Sequence, residues 1–285
     1  MKILLSGSSG FFSREFIKYI SGNNKINLIC VSRKKRKIDH VKLWNLDLSK
    51  SNLKKIPKKN HFDLVIHTSF IKMNNNKNSE ILKKNINITK NLITLLKANN
   101  FKKVINLSSA SLYPNIDGKF SEKSEINFFQ NSDSIYGYSK YLAENLFDTY
   151  INDKKIIHLR VGNIIGNNND SSIISEMKKS LRQRNFIEIF GDGKRIINLI
   201  HIKSLIKYTL LFSKKKSSGV FNVSDYSINL KQIANLIKIK YGKSNSKIKL
   251  KRLLKKNPRF YLKTNKFFNF FNIQKPNNKE LFNEI

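Results

Sequence analysis

The sequence predicts an α/β fold, a doubly wound parallel sheet accompanied by a smaller α+β lobe. Three features point to it. Short, almost wholly apolar runs recur through the first half of the chain, as in "KILLS", "INLICVS" and "DLVIHTS". Strands apolar on both faces belong in a sheet covered on both sides. Stretches with helical apolar spacing lie between them, the alternation of a parallel sheet. A glycine-containing loop, "GSSGFFS", joins the first run to the first helix.

In order, "KILLS" is the first strand, and "GSSGFFSREFIKYIS" turns into a helix with apolar residues at Phe12, Phe16, Ile17 and Ile20. "INLICVS" is the second strand, followed by the basic loop "RKKRK". "DLVIHTS" is another strand, and Glu80 to Ala98 a long amphipathic helix. "KKVINLSS", the helix "YGYSKYLAENLFDTYI" and the strand "KIIHLRVGN" complete the series. Past Asn163 the pattern loosens. A helix over Ser172–Leu181 precedes the short strands "IEIF" and "IINLIHI", separated by the turn "GDGK". Helices at Lys203–Phe212 and Asn229–Tyr241 and a Lys-rich tail follow. The expected division is residues 1–162 and 163–285, with elements interleaved. The asparagine runs Asn74–Asn76 and Asn167–Asn169 are short and loop-like.

The formal charge is +36, and the isoelectric point near 10.2 suits a polyanion partner. Yet Lys, Asn, Ile and Phe are abundant along the whole chain, as an AT-rich genome writes into any protein. No Arg-rich tail, zinc-finger spacing or RNP-like aromatic strand is present. Nucleic acid is therefore not the expected partner, and no metal site is expected. The single cysteine, Cys30, excludes a disulfide framework and fits a reducing compartment. The first apolar run leads directly into the glycine loop, unlike a secretory leader. No apolar stretch approaches the roughly 20 residues of a bilayer span. The expectation is a soluble cytoplasmic protein.

In the loop, Gly7 permits a tight turn after the strand, and Gly10 lets backbone approach a pyrophosphate at the helix N-terminus. A short glycine motif is weak evidence alone, but its place at the first strand is the one dinucleotide binding requires. Gly7, Ser9, Gly10, Phe11 and Phe12 are the candidate cofactor contacts here. Ser13 stands where a third glycine is usual, a small steric cost that leaves the anion-binding N–H groups intact. The second strand ends in Ser32 and Arg33 with no acid. A carboxylate there would serve the ribose hydroxyls of NAD, whereas an arginine suits a 2′-phosphate. NADP is slightly favoured over NAD. Asp47, with Leu48 beside it, is placed to meet the adenine edge.

In "DSIYGYSKYLAE", Tyr136 and Lys140 are four residues apart on a predicted helix and share a face. An ammonium beside a phenol favours the phenolate and draws its pKa down from about 10. Such a tyrosine can take or give a proton at a sugar hydroxyl or ketone. Ser109, ending the preceding strand, could hydrogen-bond the same oxygen. Singly, such residues are mostly surface decoration or caps. Together, in this order and downstream of a phosphate loop, they are far more specific.

These residues resemble the extended short-chain dehydrogenase/reductases, the NAD(P)-dependent nucleotide-sugar epimerase/dehydratase family, over almost the whole length. "GSSGFFS" resembles the family's glycine loop in a Rossmann-type domain. "DLVIHTS" resembles its fourth strand, with Thr68 and Ser69 where alanines are usual, and "NINITKNLI" the helix that brings Asn85 near the cofactor. "SSASLY" and "YGYSK" match the catalytic segments and imply Ser109, Tyr136 and Lys140 as the catalytic set. "LRVGNIIG" resembles the strand entering the substrate lobe, with Asn163 at the sugar nucleotide. "GDGKRIINLIHI", "VFNVSDYSINLKQIANLI" and "YLKTNKFFNFFNI" resemble later substrate-lobe segments. Where many members carry an arginine for the substrate diphosphate, this chain has Ile197. Arg195, two residues earlier, would share that strand face, and Arg252 and Arg259 are further candidates. At Ser111, a position that varies in the family, there is no Asp-Glu pair, which argues against 4,6-dehydration. His201 is read as a packing residue at the lobe junction.

The resemblance implies hydride transfer at C4 of a nucleotide-activated hexose, with Tyr136 as acid or base, Lys140 holding the nicotinamide ribose and Ser109 steadying the reacting oxygen. A 4-keto reductase using dissociable NADPH and a 4-epimerase holding NAD share this machinery, and Arg33 tilts the balance to the reductase. A non-catalytic NADP- or RNA-binding scaffold is the remaining alternative, although such a relative would be expected to lose Tyr136 or Lys140. The resemblance also suggests a homodimer through the helices containing Asn85 and Tyr136.

Overall fold

The structure, a computed structural model, describes residues 1–285 apart from 35–36, 52, 54, 72–77, 132–133, 153–154, 168, 170–171 and 253–257. The middle of the basic loop after the second strand, the Asn74–Asn76 run and Asn168 lie outside the described residues. The chain forms two compact units. The first comprises Met1–Pro114, Ile126–Arg160 and Ile206–Phe221, and the second Asn115–Glu125, Val161–Leu205 and Asn222–Ile285.

The first unit is built on a seven-stranded sheet. Its order is Gly219–Val223, Ile156–Val161, Val104–Ser109, Leu64–His67, Lys2–Ser6, Asn27–Ser32 and Val41–Asn45. Lys2–Ser6 pairs in parallel with both Asn27–Ser32 and Leu64–His67. The flanking pairs, Asn27–Ser32 with Val41–Asn45 and Leu64–His67 with Val104–Ser109, are parallel too. Strand order therefore reverses between Lys2–Ser6 and Leu64–His67, and in such sheets ligands bind outside the carboxyl ends at that switch point. Gly7 and Thr68 are the residues that leave those two strands. Leu64–His67, Val104–Ser109 and Ile156–Val161 are buried at every residue, as a sheet covered on both faces demands. Ile88, Leu92 and Leu96 of the helix Asn78–Lys97 and Phe147 of the helix Ser134–Tyr150 cover them, in one cluster with Leu4, Val65 and Val104.

The second unit has a three-stranded sheet in which Ile196–His201 pairs in parallel with Asn163–Ile165 and antiparallel with Tyr226–Asn229. Phe186–Phe190 pairs in parallel with Lys247–Lys251, and Gly118–Phe120 with Phe260–Leu262. Its core gathers Ile187, Ile197, Leu199, Ile228, Ile233 and Leu281 with their neighbours.

Several boundaries differ from the sequence expectation for local reasons. The helix expected at Ser172–Leu181 runs Ile173–Arg184. Ser172 is its cap, accepting from Ser175 N, and Asn185 ends it at φ 55°. The helix expected from Asn229 begins at Leu230, because Asn229 and Gln232 form a reciprocal capping box. Tyr226–Asn229 before it is strand. The Lys-rich tail contains the strands Lys247–Lys251 and Phe260–Leu262 and the helix Asn265–Phe271. "KIKLK" is a two-residue alternation that the lysine richness masked. Among the described residues no helix is long and apolar enough to cross a membrane.

Candidate active site

The glycine loop has the geometry its sequence demanded. Gly7 sits at φ +82°, and a Cβ there would lie 2.8 Å from both the Cα and N of Ser69. Only glycine serves both constraints. At Gly10 a Cβ would meet nothing nearer than Gly7 O at 3.6 Å, so the approach to the loop is open. Gly10 is the N-cap of the helix Phe11–Ile20, which has no side-chain cap and no acid in its first turn. Its leading N–H groups and the positive end of its dipole are thus presented to an anion. The loop fits a pyrophosphate on that ground.

Ser13, at the third position, is fully buried, and its hydroxyl lies 2.8 Å from Thr68 Oγ1. Thr68 in turn donates to Ser6 O at 2.5 Å. Ser13 and Thr68 are therefore partners, and the bond between them satisfies the buried Ser13 hydroxyl. Thr68 serves the strand ends and Ser13 rather than facing the open groove.

A pocket of about 230 Å³ runs from this loop to the ends of the second and third strands. Gly7, Ser9, Arg33, Asp47, Leu48 and Ser69 line it, as do Phe70 and Ile88, which the sequence did not single out. Asp47 accepts from Ser49 N at 3.0 Å and from Ser49 Oγ at 2.6 Å. Burial alone would raise its pKa, but these bonds and the nearby Arg33 and Lys50 charges outweigh it and hold the carboxyl below its ordinary value. The Phe12 ring is buried and stacks on Phe16 with centroids 5.7 Å apart. The ring packs the helix, while the backbone N–H groups of Phe12 and of the half-buried Phe11 belong to its first turn. The Asn85 amide accepts from Ile71 N at 2.8 Å and donates to Ile71 O at 3.1 Å, so it shapes the pocket wall by clamping Ile71.

Tyr136 and Lys140 lie on the helix Ser134–Tyr150. Lys140 is buried, and its Nζ donates to Leu107 O at 2.9 Å. Burial pushes its pKa down to about 8, against the opposing pull of Glu144. The ammonium stands 4.4 Å from the centroid of Phe70 and 5.9 Å from that of Tyr136. Phe70 meets Tyr136 edge-on, with centroids 5.0 Å apart at 87°. His67 is also buried, next to Ser6 Oγ at 2.8 Å, and burial together with the Lys140 charge pushes it down to about 3. It is therefore a neutral imidazole at neutral pH.

Ser109 ends its strand and caps the short turn Ala110–Leu112, accepting from Ser111 N at 3.1 Å. Accepting that bond leaves the hydroxyl hydrogen to donate. Ser111 is half-buried, and its carbonyl accepts from Asn131 Nδ2 at 3.0 Å. Gly137, which sequence reasoning passed over, seats the Tyr136 helix on this turn. A Cβ there would lie 2.5 Å from Ser111 O and 2.7 Å from Phe128 Cβ. The signal was a glycine inside a predicted helix, where it costs about 1 kcal/mol relative to alanine and needs a packing reason. Glu144 and Arg160 were also passed over. Arg160 Nε and Nη2 donate to the two oxygens of Glu144 at 3.1 and 2.8 Å, and Nη1 donates to Tyr113 Oη at 2.9 Å. This network ties the Tyr136 helix to the Ser109 segment.

The remaining sequence candidates belong to the second unit. Asn163 is exposed, its Nδ2 donating to Asn198 O at 3.3 Å. Ile197 is buried in the apolar core, so the face where many relatives carry an arginine is filled by hydrocarbon here. Arg195 is half-buried just before that strand, and its carbonyl accepts from Leu230 N at 3.0 Å. Arg252 and Arg259 are exposed. His201 donates its N–H to Asp225 Oδ2 at 3.0 Å, and burial lowers its pKa, with help from Lys203.

Solved structures with this fold are numerous. One is UDP-glucuronic acid 4-epimerase from Bacillus cereus in complex with UDP-glucuronic acid and NAD, at TM-score 0.80 and 20% identity over 100% of this chain and 96% of that one. Another is MoeE5 in complex with UDP-glucose and NAD, at TM-score 0.79 and 18% identity over 100% and 97%. A third is dTDP-glucose 4,6-dehydratase from Bacillus anthracis in complex with NAD, at TM-score 0.75 and 16% identity over 96% and 91%. No curated protein sequence matches the chain significantly. Likeness at such identities speaks for the fold alone. The lineage comes from the sequence itself, because the model of the NAD dependent epimerase/dehydratase family matches residues 3–224. That stretch carries both the glycine loop and the Tyr136–Lys140 helix, and the chain belongs to this family.

Proposed function

We propose that the protein is an NAD(P)-dependent oxidoreductase acting at C4 of a nucleotide-activated sugar, and specifically a 4-keto reductase. The observation that carries this reading is the buried Lys140, held by Leu107 O on the helix that bears Tyr136, with Phe70 joining the pair to the glycine-loop pocket. When bound, the nicotinamide supplies or accepts the hydride. Tyr136 handles the proton. As a phenol it gives one to the ketone oxygen in reduction, and as a phenolate it takes one from the hydroxyl in oxidation. Lys140 is an ammonium at neutral pH, which stabilises the phenolate and can donate to a ribose hydroxyl. Ser109 donates to the same sugar oxygen and steadies the charge that develops there.

Arg33 at the pocket supports NADP over NAD, since the second strand ends without an acid that could serve the ribose hydroxyls. For the nucleotide diphosphate, Arg195, Arg252 and Arg259 are the proposed cationic partners, with Asn163 and Ser111 at the sugar. Relatives solved with UDP-glucose and UDP-glucuronic acid support a nucleotide sugar as substrate. A cytoplasmic homodimer is the accompanying expectation.

A 4-epimerase is the second reading, favoured by the likeness to UDP-glucuronic acid 4-epimerase. The purified protein separates the two. Cofactor-free protein that oxidises added NADPH only with a 4-keto nucleotide sugar supports the reductase. NAD released on denaturation, with interconversion of C4 epimers, overturns it in favour of the epimerase. Salt-sensitive RNA retention with no turnover of any nucleotide sugar overturns both.

A further inference from the structure

Phe70 stands where the two halves of the site meet. On one side its residue lines the pocket that runs from the glycine loop to Arg33 and Asp47. On the other its ring covers the Lys140 ammonium at 4.4 Å and meets the Tyr136 ring edge-on at 5.0 Å. One N–H of Lys140 is committed to Leu107 O at 2.9 Å, and an aromatic face over a desolvated ammonium competes for the others. The same pocket is also lined by Arg33, Asp47 and Leu48, at the ends of the second and third strands, where the adenosine half would lie. A dinucleotide therefore meets two different receptions along one groove. Its adenosine half enters a formed pocket. Its nicotinamide ribose must win Lys140 from an aromatic ring.

Resting on the cofactor reading above, we propose that Phe70 is a specificity-determining residue that selectively weakens the hold on the nicotinamide half and so makes the cofactor exchangeable. Such a bias suits a reductase, which must release spent cofactor every cycle, and disfavours an enzyme that keeps one cofactor through many turnovers. The cost falls on one half of the ligand, so fragments of the cofactor report it separately. 2′-Phospho-ADP and 2′-phospho-AMP carry the adenosine half without the nicotinamide or the ribose that Lys140 would hold.

The experiment measures equilibrium affinity by calorimetry and release rate by stopped flow for NADPH and for these two fragments. Wild type, Phe70→Ala and Phe70→Leu are compared, the leucine keeping apolar volume without a ring face in case the alanine variant folds poorly. Wild type should hold NADPH no more tightly than 2′-phospho-ADP. Both variants should bind NADPH about tenfold more tightly and release it more slowly, with fragment affinities unchanged. NADPH affinity that is unchanged or weaker in both variants overturns the proposal while leaving the cofactor reading intact, as does an equal gain for the fragments. Failure of wild type and variants alike to bind NADPH, NADH or either fragment overturns the cofactor reading, and this inference with it.

Discussion

Arg160 and Glu144 face one another in a buried two-point ion pair, with both side chains about 5% exposed and N–O distances of 3.1 and 2.8 Å. Removing one member strands a charge in the interior, at a cost of about 3–5 kcal/mol. Glu144→Leu and Arg160→Met should each lower the midpoint of urea unfolding strongly. The double replacement should recover most of the loss, because no charge is then left unpaired. Singles that unfold like wild type would remove this pair from the framework of the site.

Tyr136→Phe deletes one oxygen and leaves the ring that packs against Phe70. General acid–base groups contribute about 10²–10⁴-fold, so turnover with a 4-keto nucleotide sugar should fall by that order. Binding of NADPH, followed by calorimetry, should change little. Undiminished turnover would exclude Tyr136 as the proton carrier.

Lys140 gives the protein a signed dependence on pH. Its pKa falls from 10.5 in the unfolded chain to about 8 when folded, through burial. Between those values the unfolded state binds more protons, so stability rises with pH, and below about pH 8 the folded state bears the full cost. That cost is roughly 3 kcal/mol at most. Lys140→Met should therefore be more stable than wild type at neutral pH, with the gap closing as pH climbs towards 10.5. Denaturant titrations at several pH values check this, and a constant gap would refute it. In wild type, kcat for reduction should decline as pH rises through about 8 and the ammonium is lost.

Arg33→Ala should weaken NADPH by at least about tenfold, the scale of charge-assisted hydrogen bonds, and NADH far less. Fluorescence titrations of the two cofactors measure the ratio. Equal losses would make Arg33 ordinary surface charge.

Ser13 and Thr68 should be energetically coupled. Their hydroxyls lie 2.8 Å apart, so a double-mutant cycle with Ser13→Gly and Thr68→Ala should return an interaction of about 0.5–1.5 kcal/mol. Additive effects would mean that the two hydroxyls do not stabilise one another.

Much of the first unit was legible from residues alone. "KILLS", "DLVIHTS" and "KKVINLSS" are apolar on both faces, and only a sheet covered on both sides can hide them. Local rules reach that far because they act within a few residues. The same holds for Gly7, whose turn is a property of its own backbone, and for Tyr136 and Lys140, whose shared face follows from the helical repeat. Tertiary structure decided what depends on approach between distant segments. It buried Phe12 against Phe16, turned Asn85 onto Ile71, and set Phe70 over Lys140. It assigned Asn115–Glu125 to the second unit and Ile206–Phe221 to the first. It also drew Lys247–Lys251 out of a lysine-rich tail to pair with Phe186–Phe190. Periodicity marks which side of an element is apolar, but which partner covers it is a matter of packing between segments far apart in sequence, and no window of neighbouring residues contains that information.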